Sequence, residues 1–374
     1  MENRLKGLIE GNSETNRVKW ALEWKNQGKK VIGVVSSYVP EEVIWAADML
    51  PFRLTGTWKD NVENARVYRS PSTGGYGTHV LESILRGELD FLDGVVFADQ
   101  DQDILRLWDV LSYLKKPTFC HAIHVPFFES RHNTAFLRDE IRRLIGNLES
   151  FRGIKISAES LWSSINTCNR MRTLLGKIYE LRKKETPPLS GTEVMGIVST
   201  AQIMPKDEFN QELESILSYL DERQVKLNQV RPRILLSSEA LDNPDYIDLV
   251  EEGCLIAMDD MDTGICYFNQ NVDTTVEDPA YALAKRYLSH HGLPRMLHWD
   301  KQVEQVIKWI KDYDIDGVIN LALMWSHPQL IRRIYLENKL GEVEIPYLFV
   351  EREYHMANAG QLRTRIGAFL EMLA

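Results

Sequence analysis

Two acidic residues near the start of the chain have the types and spacing that acid–base chemistry needs. Glu41 and Glu42 follow Ser37 and Tyr38 within the segment Ser-Tyr-Val-Pro-Glu-Glu. Paired carboxylates can exchange protons, and neighbouring hydroxyl groups can donate hydrogen bonds to a carbonyl oxygen. We therefore predict these four residues as catalytic candidates. A structural role is the alternative, because acidic residues after a proline also stabilise the first turn of a helix, predicted here at residues 41–50.

Three further polar segments contain candidates for ligand binding. They are a short glycine-rich loop, an acidic loop around Asp101, and the Trp-Ser-His-Pro sequence at residues 325–328. The residues that we predict to bind substrate are Thr73, Gly74, Gly75, Tyr76, Asp101, Trp325 and Ser326. His327 is a further catalytic candidate. Asp101 and His327 are the only good ligands here for a hard divalent ion, so we interpret them as a solvated rim and predict no metal site.

Short apolar runs come just before several of these polar segments and predict buried parallel strands. The runs lie at residues 30–35, 91–97 and 315–323. Continuous apolar runs are typical of strands that helices cover on both faces. Asp-Gly-Val occurs at the start of a run in each half of the chain, which indicates a duplicated α/β unit. Since ligands bind at the carboxyl ends of such strands, we expect a pocket between the two halves. Its rim would comprise the loops at residues 36–42, 98–103, 237–242 and 324–328.

These patterns predict an α/β fold with two related Rossmann- or flavodoxin-like domains that contain open parallel sheets. We expect an N-terminal α/β domain with a leading helix at residues 1–132 and a C-terminal α/β domain at residues 226–374. Apolar residues at helical spacing dominate residues 133–225, which we interpret as a helical connector.

The composition excludes several classes of protein. The 374 residues carry a formal net charge of -10, which argues against a nucleic-acid surface because binding phosphates needs clustered basic residues. No apolar run reaches the roughly 18 residues of a membrane span, so we expect a cytoplasmic protein. The four cysteines are far apart and form no Cys-x-x-Cys pair, which predicts neither a disulfide framework nor a zinc site.

Two longer segments resemble a known family. One is residues 38–54, Tyr-Val-Pro-Glu-Glu-Val-Ile-Trp-Ala-Ala-Asp-Met-Leu-Pro-Phe-Arg-Leu, and the other is residues 360–373, Gly-Gln-Leu-Arg-Thr-Arg-Ile-Gly-Ala-Phe-Leu-Glu-Met-Leu. Both resemble the subunits shared by 2-hydroxyacyl-CoA dehydratases and ATP-dependent benzoyl-CoA reductases. In that family, three cysteines per subunit hold a 4Fe-4S cluster in the cleft between two domains.

The resemblance implies that the cluster ligands are missing from this chain. Matching the strand and helix patterns places the expected cysteines at Gly74, Asp101 and Ser326. Thiolates hold the iron of such clusters, whereas glycine offers no ligand and aspartate and serine are hard ligands. We therefore expect no cofactor on this chain. Arg363 and Arg365 begin the last helix, and we predict that they either contact CoA phosphate or pair with acidic residues of the framework.

The resemblance also implies a function within a complex. We expect a cluster-free subunit of a dehydratase or aromatic acyl-CoA reductase that forms part of the acyl-CoA cleft. It would pair, in a heterodimer or larger complex, with a homologous subunit that carries a 4Fe-4S cluster. Two alternatives stay open. One is a stand-alone acyl-CoA hydratase or dehydratase that uses acid–base residues without a cluster, and the other is a non-catalytic scaffold subunit.

Overall fold

The computed structural model describes residues 1–223 and 231–373, and its main feature is a pair of parallel β-sheets. The first sheet contains β1 (Lys30–Val34), β2 (Met49–Arg53), β3 (Gly94–Ala98) and β4 (Phe119–Ile123). Their order is β2-β1-β3-β4, and neighbouring strands are parallel. Val31 and Ile32 point to opposite faces of β1 and belong to different hydrophobic cores, so both faces of the sheet are covered.

The second sheet repeats this arrangement in the C-terminal part of the chain. It contains β5 (Arg233–Ser238), β6 (Leu255–Met261), β7 (Gly317–Leu323) and β8 (Tyr347–Arg352). Their order is β6-β5-β7-β8, which is the order of the first sheet strand for strand. All pairs are again parallel. The predicted α/β class with two related open parallel sheets is confirmed.

Helices surround both sheets and fill the middle of the chain. Those of the N-terminal part are α1 (Glu2–Ile9), α2 (Arg17–Asn26), α3 (Glu41–Ala46), α4 (Glu63–Arg66), α5 (Gly75–Leu85) and α6 (Gln102–Leu114). The middle of the chain forms α7 (Arg131–Arg152), α8 (Ala158–Leu181), α9 (Gly191–Ala201) and α10 (Lys206–Glu222). The remaining helices are α11 (Pro244–Glu251), α12 (Ile265–Phe268), α13 (Pro279–Ser289), α14 (Trp299–Asp312), α15 (His327–Glu342) and α16 (Ala359–Glu371). Across residues 1–223 and 231–373, no helix has both the length and the apolar character to cross a membrane.

The middle helices pack against both halves of the protein. Leu175 of α8 and Val198 of α9 share one hydrophobic core with Ile32 of β1 and Leu235 of β5. The predicted helical connector therefore holds the two sheets together as well as linking them in sequence. Its predicted boundary with the C-terminal domain, between residues 225 and 226, lies outside the described residues.

The helix predicted at residues 41–50 is shorter than expected. Helix α3 ends at Ala46, and β2 begins at Met49. Between them, Asp48 has φ of 55°, a left-handed conformation that ends the helix and turns the chain. Every residue of β2 is buried, so the apolar residues that extend the helical pattern belong instead to an edge strand.

Candidate functional site

A cleft of about 540 Å³ lies where loops from both sheets meet. Its walls include residues that directly follow β3, β5, β6 and β7, together with residues 72–74 and Tyr76 before and at the start of α5. The expected pocket at the carboxyl ends of strands from both halves is therefore present. Of the predicted binding and catalytic residues, those that line it are Thr73, Gly74, Tyr76, Asp101, Trp325, Ser326 and His327. Gly75 is not among the lining residues, and an added Cβ there would meet the Tyr354 side chain at 3.0 Å.

The space beside Gly74 is filled by another side chain. A Cβ atom on Gly74 would lie 2.6 Å from Cγ of Asp103, far inside a normal contact distance. Asp103 is fixed there because it forms an ion pair with Arg69 and accepts a 2.7 Å hydrogen bond from the Gly77 amide. Burial raises the pKa of Asp103 to about 7, against the opposing effect of Arg69. A cysteine at position 74 would thus need Asp103 to move.

Asp101 holds the start of a helix at the cleft wall. Its carboxylate accepts a 2.9 Å hydrogen bond from the amide of Ile104 and so caps α6. Burial raises the pKa of this carboxyl group. The loop that follows β3 thus presents a carboxyl group to the cleft, and the side chain already has a structural partner.

Ser326 connects the C-terminal wall of the cleft to Glu239. Its hydroxyl group donates a hydrogen bond to Oε2 of Glu239 and accepts one of 3.4 Å from the Gln329 amide at the start of α15. Glu239 directly follows β5 and is only 5% exposed. Burial raises its pKa to about 8. The preceding residue in the Trp-Ser-His-Pro segment, Trp325, has φ of 70° and leaves 47% of its surface exposed at the cleft.

The remaining walls of the cleft combine apolar side chains with fixed charges. The large apolar residues of the lining include Phe127, Leu297, Trp299, Trp325 and Ile331. At the floor, Asp262 forms an ion pair with Arg53 and accepts a hydrogen bond from the hydroxyl group of Ser37. Arg295 is 5% exposed and donates to the carbonyl oxygen of Val125 at 2.8 Å. An apolar group can therefore bind here beside several carboxyl groups.

The four catalytic candidates predicted from the first strand do not line this cleft. Glu42 forms a buried ion pair with Arg172, and the hydroxyl group of Tyr287 donates to it at 2.9 Å. Burial alone would raise the pKa of Glu42, but the arginine charges lower it below its ordinary value. Glu41 is paired with Lys206 at 2.7 Å. The structural alternative fits this placement, since both residues lie in the first turn of α3.

The two hydroxyl candidates also have structural partners. The Tyr38 oxygen accepts a 3.0 Å hydrogen bond from the Leu293 amide, and Tyr38 is 1% exposed. Ser37 reaches the cleft only through Asp262, to which its hydroxyl group donates. A direct contact between these hydroxyl groups and a ligand in the cleft is therefore not supported.

The two arginines of α16 lie away from the cleft lining. Arg363 makes hydrogen bonds of 2.6 and 2.7 Å with Glu252, the framework pairing that was one of the predicted outcomes. Arg365 donates to the carbonyl oxygen of Phe349 at 3.0 Å. It lines a neighbouring pocket of about 390 Å³ together with Met324, which also belongs to the cleft.

The residues of the cleft do not fit a conventional iron–sulfur cluster. Its walls offer glycine, aspartate and serine at the three expected ligand positions, where thiolates are needed. The chain's four cysteines, Cys120, Cys168, Cys254 and Cys266, all lie outside the lining, and burial raises the pKa of each thiol.

One group of potential metal ligands lies elsewhere in the described ranges. Asp260, Cys266 and His291 have ligand atoms within 4.8 Å of one another. The carboxylate of Asp260 is already bound by Arg332 and by His291, each at 2.8 Å. Because a guanidinium charge sits against this carboxylate, we interpret the group as a structural ion-pair network.

Sequence reasoning selected neither Glu239 nor Asp103 among the acidic residues of the cleft. Glu239 lies in the loop at residues 237–242, which was predicted as rim without any residue being selected. Its position directly after a predicted strand was the available signal. Asp103 lies in the rim loop predicted at residues 98–103, but its proximity to Gly74 depends on how α5 and α6 pack.

Comparisons with known proteins identify relatives along nearly the whole chain. The family model described as 2-hydroxyglutaryl-CoA dehydratase, D-component, matches residues 36–373. One of the benzoyl-CoA reductase subunits of Thauera aromatica is 24% identical, with 94% of each chain covered. The (R)-phenyllactyl-CoA dehydratase beta subunit of Clostridium sporogenes is 23% identical over 99% of this chain and 98% of its own.

A third relative, the beta subunit of (R)-2-hydroxyglutaryl-CoA dehydratase from Acidaminococcus fermentans, is 24% identical over 94% of both chains. The matches extend over nearly the whole chain and include both sheets. The chain therefore belongs to the 2-hydroxyglutaryl-CoA dehydratase D-component family, as the segments at residues 38–54 and 360–373 predicted.

Proposed function

We propose that this chain is a cluster-free subunit of a complex that acts on CoA thioesters. It forms one acyl-CoA cleft and pairs with a homologous subunit that carries the 4Fe-4S cluster. The observation that carries this proposal is the packing at Gly74, where Asp103 occupies the space that a ligand side chain would need. The position lacks both the thiolate and the room for one.

The other two replaced positions support the same proposal because each has a structural partner. Asp101 caps α6 through the Ile104 amide. Ser326 holds Glu239 and the start of α15. Restoring the three cysteines would therefore require changes at the structural partners of these positions as well.

The names of the relatives support a role within a complex. Each of the three is named as a subunit of a dehydratase or of benzoyl-CoA reductase. The substrates in those names are CoA thioesters with different acyl groups. We propose for this chain the two features that the names of the relatives share, an acyl-CoA ligand and a partner subunit.

The walls of the cleft suit an uncharged acyl group. Phe127, Leu297, Trp325 and Ile331 expose large apolar surfaces, each about half accessible in the free cleft. Covering them with an apolar group removes that surface from water and favours binding.

The central experiment is anaerobic purification of this chain together with its natural partner subunit, followed by iron and sulfide analysis of each separated chain. We expect iron on the partner and none on this chain. Stoichiometric iron on this chain after its separation would contradict the proposal. Benzoyl-CoA and (R)-phenyllactyl-CoA are suitable probes of the cleft.

The cleft itself is tested by Trp325→Ala, with Tyr113→Ala as the matched control. Tyr113 is an exposed aromatic residue of α6 that does not line the cleft. Removing the Trp325 ring should weaken acyl-CoA binding by about tenfold or more, since it deletes a large apolar contact. The control should bind like the wild type. Equal affinities for all three proteins would place the acyl group elsewhere.

The stand-alone acid–base alternative is favoured by one observation, the carboxyl group of Glu239 at the cleft. Burial raises its pKa to about 8, so it is protonated at neutral pH and can donate a proton. Hydration or dehydration of an acyl-CoA by the isolated chain would support this alternative. A chain that binds its partner but no acyl-CoA would instead support the scaffold.

A further inference from the structure

Glu239 differs from most other buried acidic residues because it forms no ion pair with lysine or arginine. The buried carboxylates that form ion pairs with lysine or arginine are Glu41, Glu42, Glu82, Asp259, Asp260 and Asp262. Within residues 1–223 and 231–373, Glu239 and Asp242 are buried without such a cation. Asp242 accepts hydrogen bonds from Tyr354 and Trp58 and does not line the cleft.

The hydroxyl group of Ser326 is the partner that the described residues provide for the Glu239 carboxyl group. Arg352 is close, but its guanidinium group donates to the main-chain oxygen of Glu239, at 2.6 Å. A neutral hydroxyl donor holds a carboxyl group in place without fixing its charge. The group can therefore gain or lose a proton with little rearrangement around it.

We infer that Glu239 is the proton-exchanging residue of the cleft and that Ser326 is its positioning residue. The inference rests on the proposed function, because the partner in the exchange is the acyl group of a bound CoA thioester. It gives Ser326 a role in place of the cysteine that the family resemblance implies at this position. The geometry behind it is a buried carboxyl group that opens on the cleft and that no cation neutralises.

The charged groups around Glu239 come from several elements. Asp101 before α6 and Asp262 after β6 both raise its pKa, in addition to the larger effect of burial. The Ser326 hydroxyl group and Arg332 of α15 act in the opposite direction. With a pKa of about 8, Glu239 carries its proton at neutral pH and releases it in weakly alkaline solution.

The proposed step is a simple proton transfer. The O–H bond of the Glu239 carboxyl group breaks, and the proton forms a bond to an oxygen atom of the acyl group. The electron pair stays on Glu239 as a carboxylate, which the Ser326 hydroxyl group stabilises through its hydrogen bond. The carboxylate then recovers a proton from water at the open cleft. No electrons are exchanged, so the step needs no oxidant or reductant.

Infrared titration of the isolated full chain tests the inference independently of any substrate. The variants are Glu239→Gln and, as the matched control, Asp242→Asn. The control also removes a buried carboxyl group that forms no ion pair with lysine or arginine. We expect the wild type and Asp242→Asn to lose the band of a protonated carboxyl group with a midpoint near pH 8. Glu239→Gln should lack the component near pH 8 and keep the component near pH 7 that belongs to Asp103. A transition of full amplitude in Glu239→Gln would overturn the inference.

The role of Ser326 is tested by the same titration. Ser326→Ala removes the hydrogen bond that favours the carboxylate, so the midpoint should move to higher pH. Ser326→Thr keeps a hydroxyl group and should restore the wild-type midpoint. A midpoint that is unchanged in Ser326→Ala would overturn the positioning role.

Turnover by the co-purified complex links the titration to the reaction. With (R)-phenyllactyl-CoA, Glu239→Gln should lower kcat by about 100-fold or more and change KM little. The activity of the wild type should fall as the pH rises through 8. An active wild type with an equally active Glu239→Gln variant overturns this inference alone. A wild-type complex that binds no acyl-CoA overturns the proposed function and, with it, this role.

Discussion

The acidic pair at the start of α3 and the acidic residue Glu239 at the cleft have opposite electrostatic environments. At the start of α3, Glu41 and Glu42 are buried against Lys206 and Arg172. At the cleft, Glu239 is buried against a serine hydroxyl group. Glu41 and Glu42 each form an ion pair, whereas burial raises the pKa of Glu239 to about 8. The difference depends on which residues reach each carboxyl group from distant parts of the chain.

The comparison shows why acidic residues at active-site spacing are weak evidence of catalysis. Glu41 and Glu42 have the local sequence of a paired-carboxylate site, but each is used to bind a cation. A buried carboxylate in an ion pair is poorly suited to exchange protons, because losing its charge would leave the partner unpaired. Glu239 has an unremarkable local sequence and the more suitable surroundings.

The largest expected effect comes from breaking the ion pair at α3. Arg172→Ala leaves Glu42 buried and unpaired, which should lower the free energy of unfolding by about 3–5 kcal/mol. The matched control on the same helix is Arg170→Ala, whose partner Glu214 is exposed. The control should cost less than about 1 kcal/mol. Urea denaturation followed by circular dichroism measures both, and equal losses would remove the contrast between the two regions.

The contribution of Glu239 to the stability of the protein is expected to depend on pH. Its folded-state pKa is raised to about 8, so the native chain holds a proton that the unfolded chain releases at lower pH. Its contribution to stability is therefore complete below the unfolded-state pKa and is lost as the pH rises through about 8. The Glu239→Gln variant should not show this loss of stability.

The expected result is a stability difference that depends on pH. Relative to the wild type, Glu239→Gln should gain up to about 1.4 kcal/mol in free energy of unfolding for each pH unit between roughly 5 and 8. Urea denaturation at several pH values, with Asp242→Asn measured in parallel, provides the test. A variant whose stability follows that of the wild type across this range would show that Glu239 is not held protonated in the folded protein.

Much of the fold could be predicted because its signals are local. The apolar runs at residues 30–35 and 315–323 correspond to β1 and β7, and helices cover such strands on both faces. The positions of Asp101 and Ser326 at the cleft follow from the same rule about strand ends. These features depend on residues that are close together in the sequence, so one amino-acid sequence is enough to predict them.

The electrostatic environment of the site could not be predicted in this way. Arg172 lies 130 residues beyond Glu42, and nothing in the local pattern of either residue indicates that they meet. The absence of a cation beside Glu239, among the residues that the structure describes, is equally a property of the packed protein. Likewise, the position of Asp103 beside Gly74 depends on how two helices pack.

A smaller effect tests whether the cleft has lost the space for a ligand at position 74. Gly74→Ala places a Cβ atom 2.6 Å from Asp103 and should lower the free energy of unfolding by about 1–3 kcal/mol. Gly146→Ala is the control, because nothing lies within 4 Å of its added Cβ. Combined with Asp103→Ala, the change at position 74 should cost less than it does alone. Additive losses in this double-mutant cycle would show that the two positions do not compete for space.

The smallest effect on acyl-CoA affinity is expected at the two arginines of α16, Arg363 and Arg365. Arg363 is engaged with Glu252 and lies outside the cleft, so Arg363→Ala should leave acyl-CoA affinity unchanged. Arg365 lines the pocket that shares Met324 with the cleft, which makes Arg365→Ala the informative companion. Calorimetric titration with benzoyl-CoA at low and high salt compares them. A salt-sensitive loss of affinity in Arg363→Ala would show that the CoA phosphates reach α16, and the ligand-binding region would then include fixed surface charges as well as the cleft.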